Sequence, residues 1–167
     1  MIRRIWLGLL LVLWPALAGP AFAQQFGQIP GSLAQISAGA FSVFGVNASQ
    51  EIYRFNPDSQ LFEQVPGYLV QIAPDWGVNA ANEIYRFDPD SQLFGQVPGS
   101  LIRVFTGGLD VWGINASNEI YRFNWSTGLF GQVPGSLVTI AVGDGAGVWG
   151  INASNEIFRF QEPPPPR

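Results

Sequence analysis

The sequence predicts an all-β protein built from four copies of one small antiparallel sheet. One sequence motif occurs four times, as VFGVNASQEIYRF, DWGVNAANEIYRF, DVWGINASNEIYRF and GVWGINASNEIFRF. Between these phrases, short runs of β-branched and aromatic residues alternate with turn residues such as Pro, Gly, Asn and Asp, and no window shows a helical period. Self-similarity at a nearly fixed period indicates a repeat architecture.

Each unit opens with F-G-Q-V-P-G-S-L or a close variant and closes with E-I-Y-R-F, at a period of 32 to 37 residues. We predict four short strands per unit, carrying F-G-Q-V, L-x-x-I-A, V-W-G-I-N and E-I-Y-R-F in that order. A single sheet of this size cannot bury its faces alone, so the expected fold is a small β-propeller with four short antiparallel blades. A β-prism-like or open stacked array is the competing arrangement. The units lie at about 26–55, 62–87, 94–123 and 130–160.

The two ends of the repeat region predict how the ring closes. The last unit is followed by Gln161, Glu162 and four prolines, which cannot donate hydrogen bonds to a β-ladder. The first copy of the opening phrase, residues 26–31, is therefore expected to pair with the last unit and close the ring. We expect residues 161–167 to form an extended, disordered tail.

The second unit is shorter than the others. Four residues separate Ile72 from Gly77, whereas the matching stretches of the other units hold eight or nine. The hairpin between its second and third strands should therefore be stunted, and any ligand site on that turn should be altered or missing.

The first 23 residues predict a secretory signal peptide. Arg3 and Arg4 precede an apolar run from Ile5 to Leu17, and an A-x-A site ends at Ala23. The run has 13 residues, whereas a membrane-spanning helix needs roughly 20, so a retained anchor is the less favoured alternative. Cleavage near Ala23 leaves 144 residues and no membrane span, and the mature chain is expected to be secreted or periplasmic.

The mature chain would be acidic. It keeps six arginines and twelve acids and has no lysine, which gives a net charge of −6. An acidic chain without basic clusters is a poor partner for nucleic acid, because phosphates would find no counter-charge. Cysteine is absent, so the fold depends on packing without disulfides.

The repeated phrases resemble the tectonin repeat. The similarity is carried by Q-V-P-G-S-L, then I-A-V-G, then G-V-W-G-I-N-A-S-N-E-I-Y-R, and it covers residues 26–160. The resemblance implies a β-propeller lectin, a non-enzymatic binder of cell-surface or envelope glycans, with lipopolysaccharide and methylated sugars among the candidates. Family propellers commonly have five or six blades, so a minimal ring, a partial protein and a half that associates into an oligomer all stay open. A propeller scaffold that binds proteins and no sugar is the alternative function.

The residue types argue against an enzyme. Histidine and cysteine are absent, which excludes Ser-His-Asp and Cys-His nucleophilic sites and imidazole or thiolate metal sites. A glycosidase needs two distinct carboxylates, whereas the acid of E-I-Y-R-F occurs once in every unit. Asp58, Asp88 and Asp90 are best explained by turns, with a hard-cation site as the alternative. We expect no cofactor and no metal.

Two sets of repeated residues are the candidates for functional or structural roles. Glu and Arg of E-I-Y-R-F lie on opposite faces of a strand, so we expect Glu of one blade to pair with Arg of the next. These inter-blade residues are Glu51, Glu83, Glu119, Glu156, Arg54, Arg86, Arg122 and Arg159. The Trp and Asn of V-W-G-I-N either serve packing and turns or bind a sugar, the indole by stacking and the amide by hydrogen bonds. These candidate ligand-binding residues are Trp76, Trp112, Trp149, Asn47, Asn79, Asn115 and Asn152.

Overall fold

The chain folds into four antiparallel sheets. A computed structural model describes residues 26–162, so the predicted signal peptide and the prolines of the tail lie outside the described residues. Residues 26–162 contain fifteen strands and no helix, which confirms the all-β prediction. The strands of each sheet are hydrogen-bonded in chain order.

The strands have the following bounds. Sheet one contains β1 (Gln35–Ala38), β2 (Val43–Val46), β3 (Glu51–Asn56) and β4 (Leu61–Tyr68). Sheet two contains β5 (Gln71–Ala73), β6 (Trp76–Val78), β7 (Glu83–Asp88) and β8 (Leu93–Ser100). Sheet three contains β9 (Arg103–Gly107), β10 (Asp110–Ile114), β11 (Glu119–Asn124) and β12 (Leu129–Ser136). Sheet four contains β13 (Thr139–Gly143), β14 (Gly147–Ile151) and β15 (Ile157–Arg159).

The sheets are offset from the predicted units. The F-G-Q-V strand ends a sheet and does not open one, because a short turn folds it back onto the preceding E-I-Y-R-F strand. In sheet one, Tyr53 lies opposite Gln64, and the turn is held by the side-chain oxygen of Asn56, which accepts from the backbone N–H of Asp58 at 2.9 Å. Such a hairpin pairs neighbours in the chain, so it forms in preference to a longer connection.

Each outer strand carries a bulge at its V-P-G sequence. In β4 the register shifts opposite Glu51 and Ile52, and Gly67 has a φ of 117°, which favours glycine. The bulge accommodates Pro66, which has no N–H for the ladder. The same shift and the same glycine conformation occur in β8 and β12.

Successive sheets pack face to face. In sheets one to three, the large residues of V-W-G-I-N and the Ile of E-I-Y-R-F are buried against the next sheet, whereas the Phe of E-I-Y-R-F in sheets two to four packs against the preceding sheet. Sheet one packs on sheet two through Phe44, Val46, Ile52, Val65, Leu69, Ile72 and Phe87. Sheet two packs on sheet three through Ala73, Trp76, Val78, Ile84, Leu101, Val104, Val111 and Phe123. Sheet three packs on sheet four through Trp112, Ile114, Ile120, Ile140 and Val148.

Two glutamines, which the sequence did not single out, connect neighbouring sheets. The side-chain amide of Gln71 donates to the carbonyl of Val104 at 3.1 Å and accepts from the N–H of the same residue at 2.9 Å. Gln35 donates to the carbonyl of Val70 at 2.8 Å and accepts from the N–H of Ile72, the residue that corresponds to Val104, at 3.4 Å. These bonds align the first strands of adjacent sheets, because each satisfies backbone groups of the neighbouring strand.

The second sheet has the predicted stunted hairpin. Its strands β5 and β6 have three residues each, and only Pro74 and Asp75 connect them. Asp75 has a φ of 59°, a conformation that aspartate tolerates better than most residues. The hydroxyl of Ser42 in sheet one donates to its carboxylate at 2.7 Å, so the short turn is held by the neighbouring sheet.

The predicted closure of the ring is not observed. Residues 26–31 form no strand and do not pair with β15, and sheet four has three strands. Contacts join the first strands of successive sheets, from β1 to β5, β5 to β9 and β9 to β13. Sheets one and four therefore lie at opposite ends of a stack, which keeps the N-terminal phrase away from the last strand. Residues 26–162 form an open stack.

Replacing Leu101 by alanine should destabilise the stack by about 2–5 kcal/mol, because the change opens a cavity in a closely packed core. Leu101 is buried between sheets two and three, and a Cβ added at Gly113 would come within 2.2 Å of its methyl group. Urea unfolding followed by circular dichroism measures the loss. The matched control is Leu109→Ala, at a residue that is 84% exposed, and it should change stability by less than about 0.5 kcal/mol. Equal losses for the two variants would contradict the packing described.

Candidate functional site

Each V-W-G-I-N strand ends in an asparagine that organises the following turn. In sheet two, the side-chain oxygen of Asn79 accepts from the N–H groups of Ala81 at 3.0 Å and Glu83 at 2.9 Å. Its amide donates to a carboxylate oxygen of Glu83 at 2.6 Å. The same bonds occur in every sheet, in the pairs Asn47 with Glu51, Asn115 with Glu119 and Asn152 with Glu156. The four asparagines therefore have a turn role, and each positions a carboxylate.

Two further donors converge on this carboxylate. In sheet two, the hydroxyl of Tyr85 donates to Glu83 at 3.1 Å, and the amide of Gln96 donates to its other oxygen at 3.3 Å. Burial raises the pKa of Tyr85, and the bond to Glu83 raises it further, so the phenol stays protonated at neutral pH. Sheets one and three repeat the arrangement with Tyr53, Gln64, Tyr121 and Gln132.

The tyrosines were missed as site residues in the sequence. Their signal was available, because a residue two positions after the glutamate lies on the same face of the strand. Sheet four differs, since Phe158 takes the place of the tyrosine and no fourth strand supplies a glutamine. The complete group of Asn, Glu, Tyr and Gln, which we call the carboxylate cluster, therefore occurs in sheets one, two and three.

The predicted pairing of Glu with Arg across blades is wrong. Each glutamate is bonded within its own sheet, and the ion pairs among residues 26–162 join Arg122 to Asp110 and Glu162. The Glu side chains cannot reach the neighbouring Arg because they point into the turn that begins at the asparagine. The residues concerned are Glu51, Glu83, Glu119, Glu156, Arg54, Arg86, Arg122 and Arg159.

The arginines instead lie over aromatic rings. The guanidinium carbon of Arg54 is 5.9 Å from the ring centre of Phe44 in its own sheet and 5.0 Å from that of Phe87 in the next sheet. Arg122 lies in the same way between Trp112 at 5.3 Å and Phe160 at 5.5 Å. Cation–π contacts of this kind contribute about 0.5–2 kcal/mol, depending on desolvation. Besides the ion pair of Arg122 with Glu162, the arginines therefore connect neighbouring sheets through aromatic rings.

Two of the three candidate tryptophans are unavailable to a sugar. Trp76 and Trp112 are 3% and 2% exposed, and each packs edge-on against a phenylalanine with ring centres 4.8 Å apart. A ring buried on both faces offers no stacking surface, so the packing interpretation holds for these two and the sugar-stacking interpretation does not. Trp149 in sheet four is 41% exposed, and its indole N–H donates to the carbonyl of Ala146 at 2.9 Å.

A cleft between sheets one and two brings the carboxylate cluster next to aromatic surface. The cleft has a volume of about 440 Å³, and its walls include Pro66 and Tyr68 from sheet one and Asn79, Tyr85 and Phe94 from sheet two. Two of these residues, Asn79 and Tyr85, are the donors that hold the Glu83 carboxylate. The cleft therefore combines an aromatic wall with polar groups that have fixed orientations. We call it the inter-sheet cleft.

An equivalent but larger cavity lies between sheets three and four. It has a volume of about 770 Å³, and Pro134, Ser136, Asn152 and Phe158 occupy the positions that correspond to the inter-sheet cleft. It also reaches Trp149 and Arg159, and no residue takes the place of Phe94 because sheet four has no fourth strand in residues 26–162. The extra volume follows from the missing outer strand of sheet four.

The aspartates of the repeated turns cap their own backbone. Asp88 accepts from the N–H of Asp90 at 3.0 Å and from the hydroxyl of Ser91 at 2.9 Å, and these bonds lower the pKa of Asp88. Within residues 26–162, no cluster of three or more metal-ligating side chains comes together. Asp88 therefore serves the turn, as the sequence favoured.

Comparison with known proteins defines the class. A model of the tectonin domain matches residues 16–75 and 73–165, which is most of the chain. The chain therefore belongs to the tectonin family. The first match begins inside the segment that the sequence predicts to be a signal peptide. No curated protein sequence matches this chain significantly.

A solved structure is similar in fold. It is the extracellular domain of a protein described as a one-component system from B. thetaiotaomicron, with a TM-score of 0.51 and 13% sequence identity. The match covers 84% of this chain and 24% of that structure, so this chain spans about a quarter of the length of its neighbour. At this identity the similarity concerns the fold alone. In residues 26–162, no helix has the length and apolar character needed to cross a bilayer.

Replacing Asn115 by aspartate should destabilise the protein at neutral pH. The variant keeps the acceptor oxygen, but it loses the donor to Glu119 and places a second carboxylate beside it. Like charges raise the folded-state pKa of the pair, so the loss, about 1 kcal/mol at pH 7, should shrink as pH falls toward 4. Urea unfolding at the two pH values measures it. Asn118→Asp, at a side chain outside this network, is the control and should show no comparable recovery in acid; a loss for Asn115→Asp that does not depend on pH would contradict the assignment.

Proposed function

We propose that this protein is a secreted, non-enzymatic lectin that binds neutral or methylated glycans of a cell surface or envelope through repeated inter-sheet clefts. The observation that carries the proposal is that two donors of the carboxylate cluster, Asn79 and Tyr85, line the inter-sheet cleft beside Phe94. Together with Gln96 they fix the orientation of the Glu83 carboxylate directly behind that wall. Membership of the tectonin family supports the same class of function.

The chemistry of the cleft suits a sugar. A carboxylate accepts hydrogen bonds from sugar hydroxyls, and bonds to a charged acceptor contribute more than neutral ones, about 1.5–3 kcal/mol. Tyr85 and Phe94 offer apolar surface for the C–H face of a pyranose, a role that the sequence left open for the tryptophans. The amide of Asn79, which lines the cleft, can bind a ring or hydroxyl oxygen through its second hydrogen.

Repetition would compensate for weak single sites. The carboxylate cluster occurs in sheets one, two and three, and each site alone is expected to bind with a dissociation constant near the millimolar range. Rigidly spaced copies on a dense glycan surface can raise the overall affinity by roughly 10²–10⁴. Export through the predicted signal peptide would place the protein where such surfaces occur.

A glycan array that includes neutral, methylated and lipopolysaccharide-derived sugars tests the proposal. Binding of the purified chain should weaken roughly 10-fold for the variant Glu83→Gln combined with Glu119→Gln, because each substitution removes a charged acceptor. Glu63→Gln is the matched control, since Glu63 accepts from Asn56 and Ser59, which do not line the inter-sheet cleft, whereas Glu83 accepts from Asn79 and Tyr85, which do.

The control and the double variant should show the same circular dichroism spectrum as the parent. Absence of binding across the array by a folded parent chain would contradict the lectin proposal. If a folded chain that binds no sugar on the array binds one protein partner specifically, that result would favour the scaffold alternative. Equal loss of sugar binding in the double variant and in Glu63→Gln would contradict the assignment of the site.

A further inference from the structure

Both end sheets of the stack present apolar faces to solvent. On sheet four, Ile157 is 74% exposed, and Trp149 and Ile151 beside it are also exposed. On sheet one, Ile36 is 64% exposed. We call these surfaces the sheet-four face, formed by Trp149, Ile151 and Ile157, and the sheet-one face, formed by Leu33, Ile36, Val43 and Phe55.

The repeat shows what covers such faces inside the protein. Ile157 corresponds in sequence to Ile52, Ile84 and Ile120, which are all buried against the following sheet. Ile36 corresponds to Ile72, Val104 and Ile140, which are all buried against the preceding sheet. The sheet-four face therefore carries the residue types that each internal interface contributes from one side, and the sheet-one face carries those of the other side. The two faces are complementary to each other and not to themselves.

The edge of sheet four lacks its outer strand, and residues 26–32 have the sequence of one. Their sequence, FGQIPGS, matches the FGQVPGS of β8 and β12. Phe26 and Ile29 are nevertheless exposed, and residues 26–32 pair with no strand. β15 consequently has three residues, whereas β3, β7 and β11 have six. An unpaired edge strand leaves N–H and C=O groups free to bind another chain.

The arginine of sheet four lacks one of the two aromatic rings that its counterparts contact. Arg54 and Arg122 each lie between an aromatic ring of their own sheet and a phenylalanine of the next sheet. Arg159 lies over Trp149 of its own sheet at 5.3 Å, and the second ring is missing. Phe55, on the sheet-one face, corresponds to Phe87 and Phe160, the rings that cover Arg54 and Arg122.

We infer that the sheet-four face of one copy docks on the sheet-one face of a second copy, and that residues 26–32 of this second copy become the fourth strand of sheet four. The register of β11 with β12, transferred to the repeat, places Phe158 opposite Gln28 and Ile157 opposite Ile29 of the second copy. Two such contacts between two copies close a ring of eight sheets. The inference is independent of sugar binding.

The occupant is a second copy of this chain because closure within one chain would require sheets one and four to meet. In the structure the strand contacts join each sheet only to the next one in the chain, and residues 29–33 lie beside Tyr53 and Phe62 of sheet one. A contact that joins unlike faces closes into a ring, here of two copies, when the rotation between copies returns to the start, and it forms an open filament when the rotation does not. The internal interfaces supply its geometry, since each is the same contact made within the chain.

Light scattering on the purified chain tests the contact. We expect at least twice the mass of one chain for the parent, and the mass of one chain for Ile36→Glu and for Ile157→Glu, because each variant puts a charge on one face. Leu109→Glu, which is equally exposed but on neither face, is the matched control and should keep the parent mass. A parent that has the mass of a single chain would overturn the inference.

Mixing the two face variants tests its direction. Ile36→Glu keeps an intact sheet-four face and Ile157→Glu keeps an intact sheet-one face, so an equimolar mixture should form a complex through one contact. If like faces paired, one of the two variants would remain oligomeric alone, and that result would overturn the head-to-tail contact. Circular dichroism spectra equal to that of the parent show that the variants are folded.

A cysteine pair distinguishes a second copy from closure within one chain. The sequence has no cysteine, so Gln28→Cys with Phe158→Cys introduces a single cross-strand pair at the expected register. On oxidation we expect a covalent oligomer on a non-reducing gel, and little cross-linking in the variant with Gln28→Cys alone. A disulfide confined to single chains would show closure in cis and overturn the inference, and so would the absence of a disulfide in a folded, oligomeric double variant.

Discussion

The structure depends on burial of each sheet against the next. A sheet of three or four short strands has too little hydrophobic surface on its own to offset the conformational entropy lost on folding. The side chains that solve this problem are the same in every copy, an aromatic residue and two aliphatic ones on one side and aliphatic residues with a phenylalanine on the other. Near-identical sheets therefore stabilise one another through near-identical contacts, as in other repeat proteins.

The polar residues follow from this packing. Because the faces of the sheets are apolar, the glutamates, asparagines and tyrosines gather at the turns and form hydrogen bonds with one another within one sheet. The arginines remain near the faces because their guanidinium groups can lie flat on aromatic rings. The carboxylates therefore lie at the turns, and in sheet two the residues that hold the carboxylate, Asn79 and Tyr85, line the inter-sheet cleft.

Much of the fold could be predicted from the sequence. The four copies, the strand content and the stunted hairpin at Pro74 and Asp75 follow from local pattern and length. Closure of the ring could not be read in the same way, because the phrase at residues 26–31 specifies a strand but not the sheet that it joins. The pairing of Glu with Arg failed for a related reason. Alternation along a strand gives the face on which a side chain lies. It does not show that Asn79, four residues earlier, forms hydrogen bonds with Glu83, which leave the carboxylate unpaired with a more distant Arg.

The site was only partly predictable. The sequence left both packing and sugar stacking open for the repeated Trp, because aromatic residues serve both roles and burial alone separates them. The tyrosine of E-I-Y-R-F lies beside the cleft instead, and its role depends on a neighbouring sheet that the sequence pattern does not show.

Hydrogen exchange at single-amide resolution tests mutual support between the sheets most directly. If each sheet depends on burial against its neighbours, the amides of β6 and β10 should exchange through a common opening, with equal free energies and the same dependence on denaturant. Independent opening of sheets two and three, with clearly different free energies, would contradict the claim that packing between sheets holds the fold together.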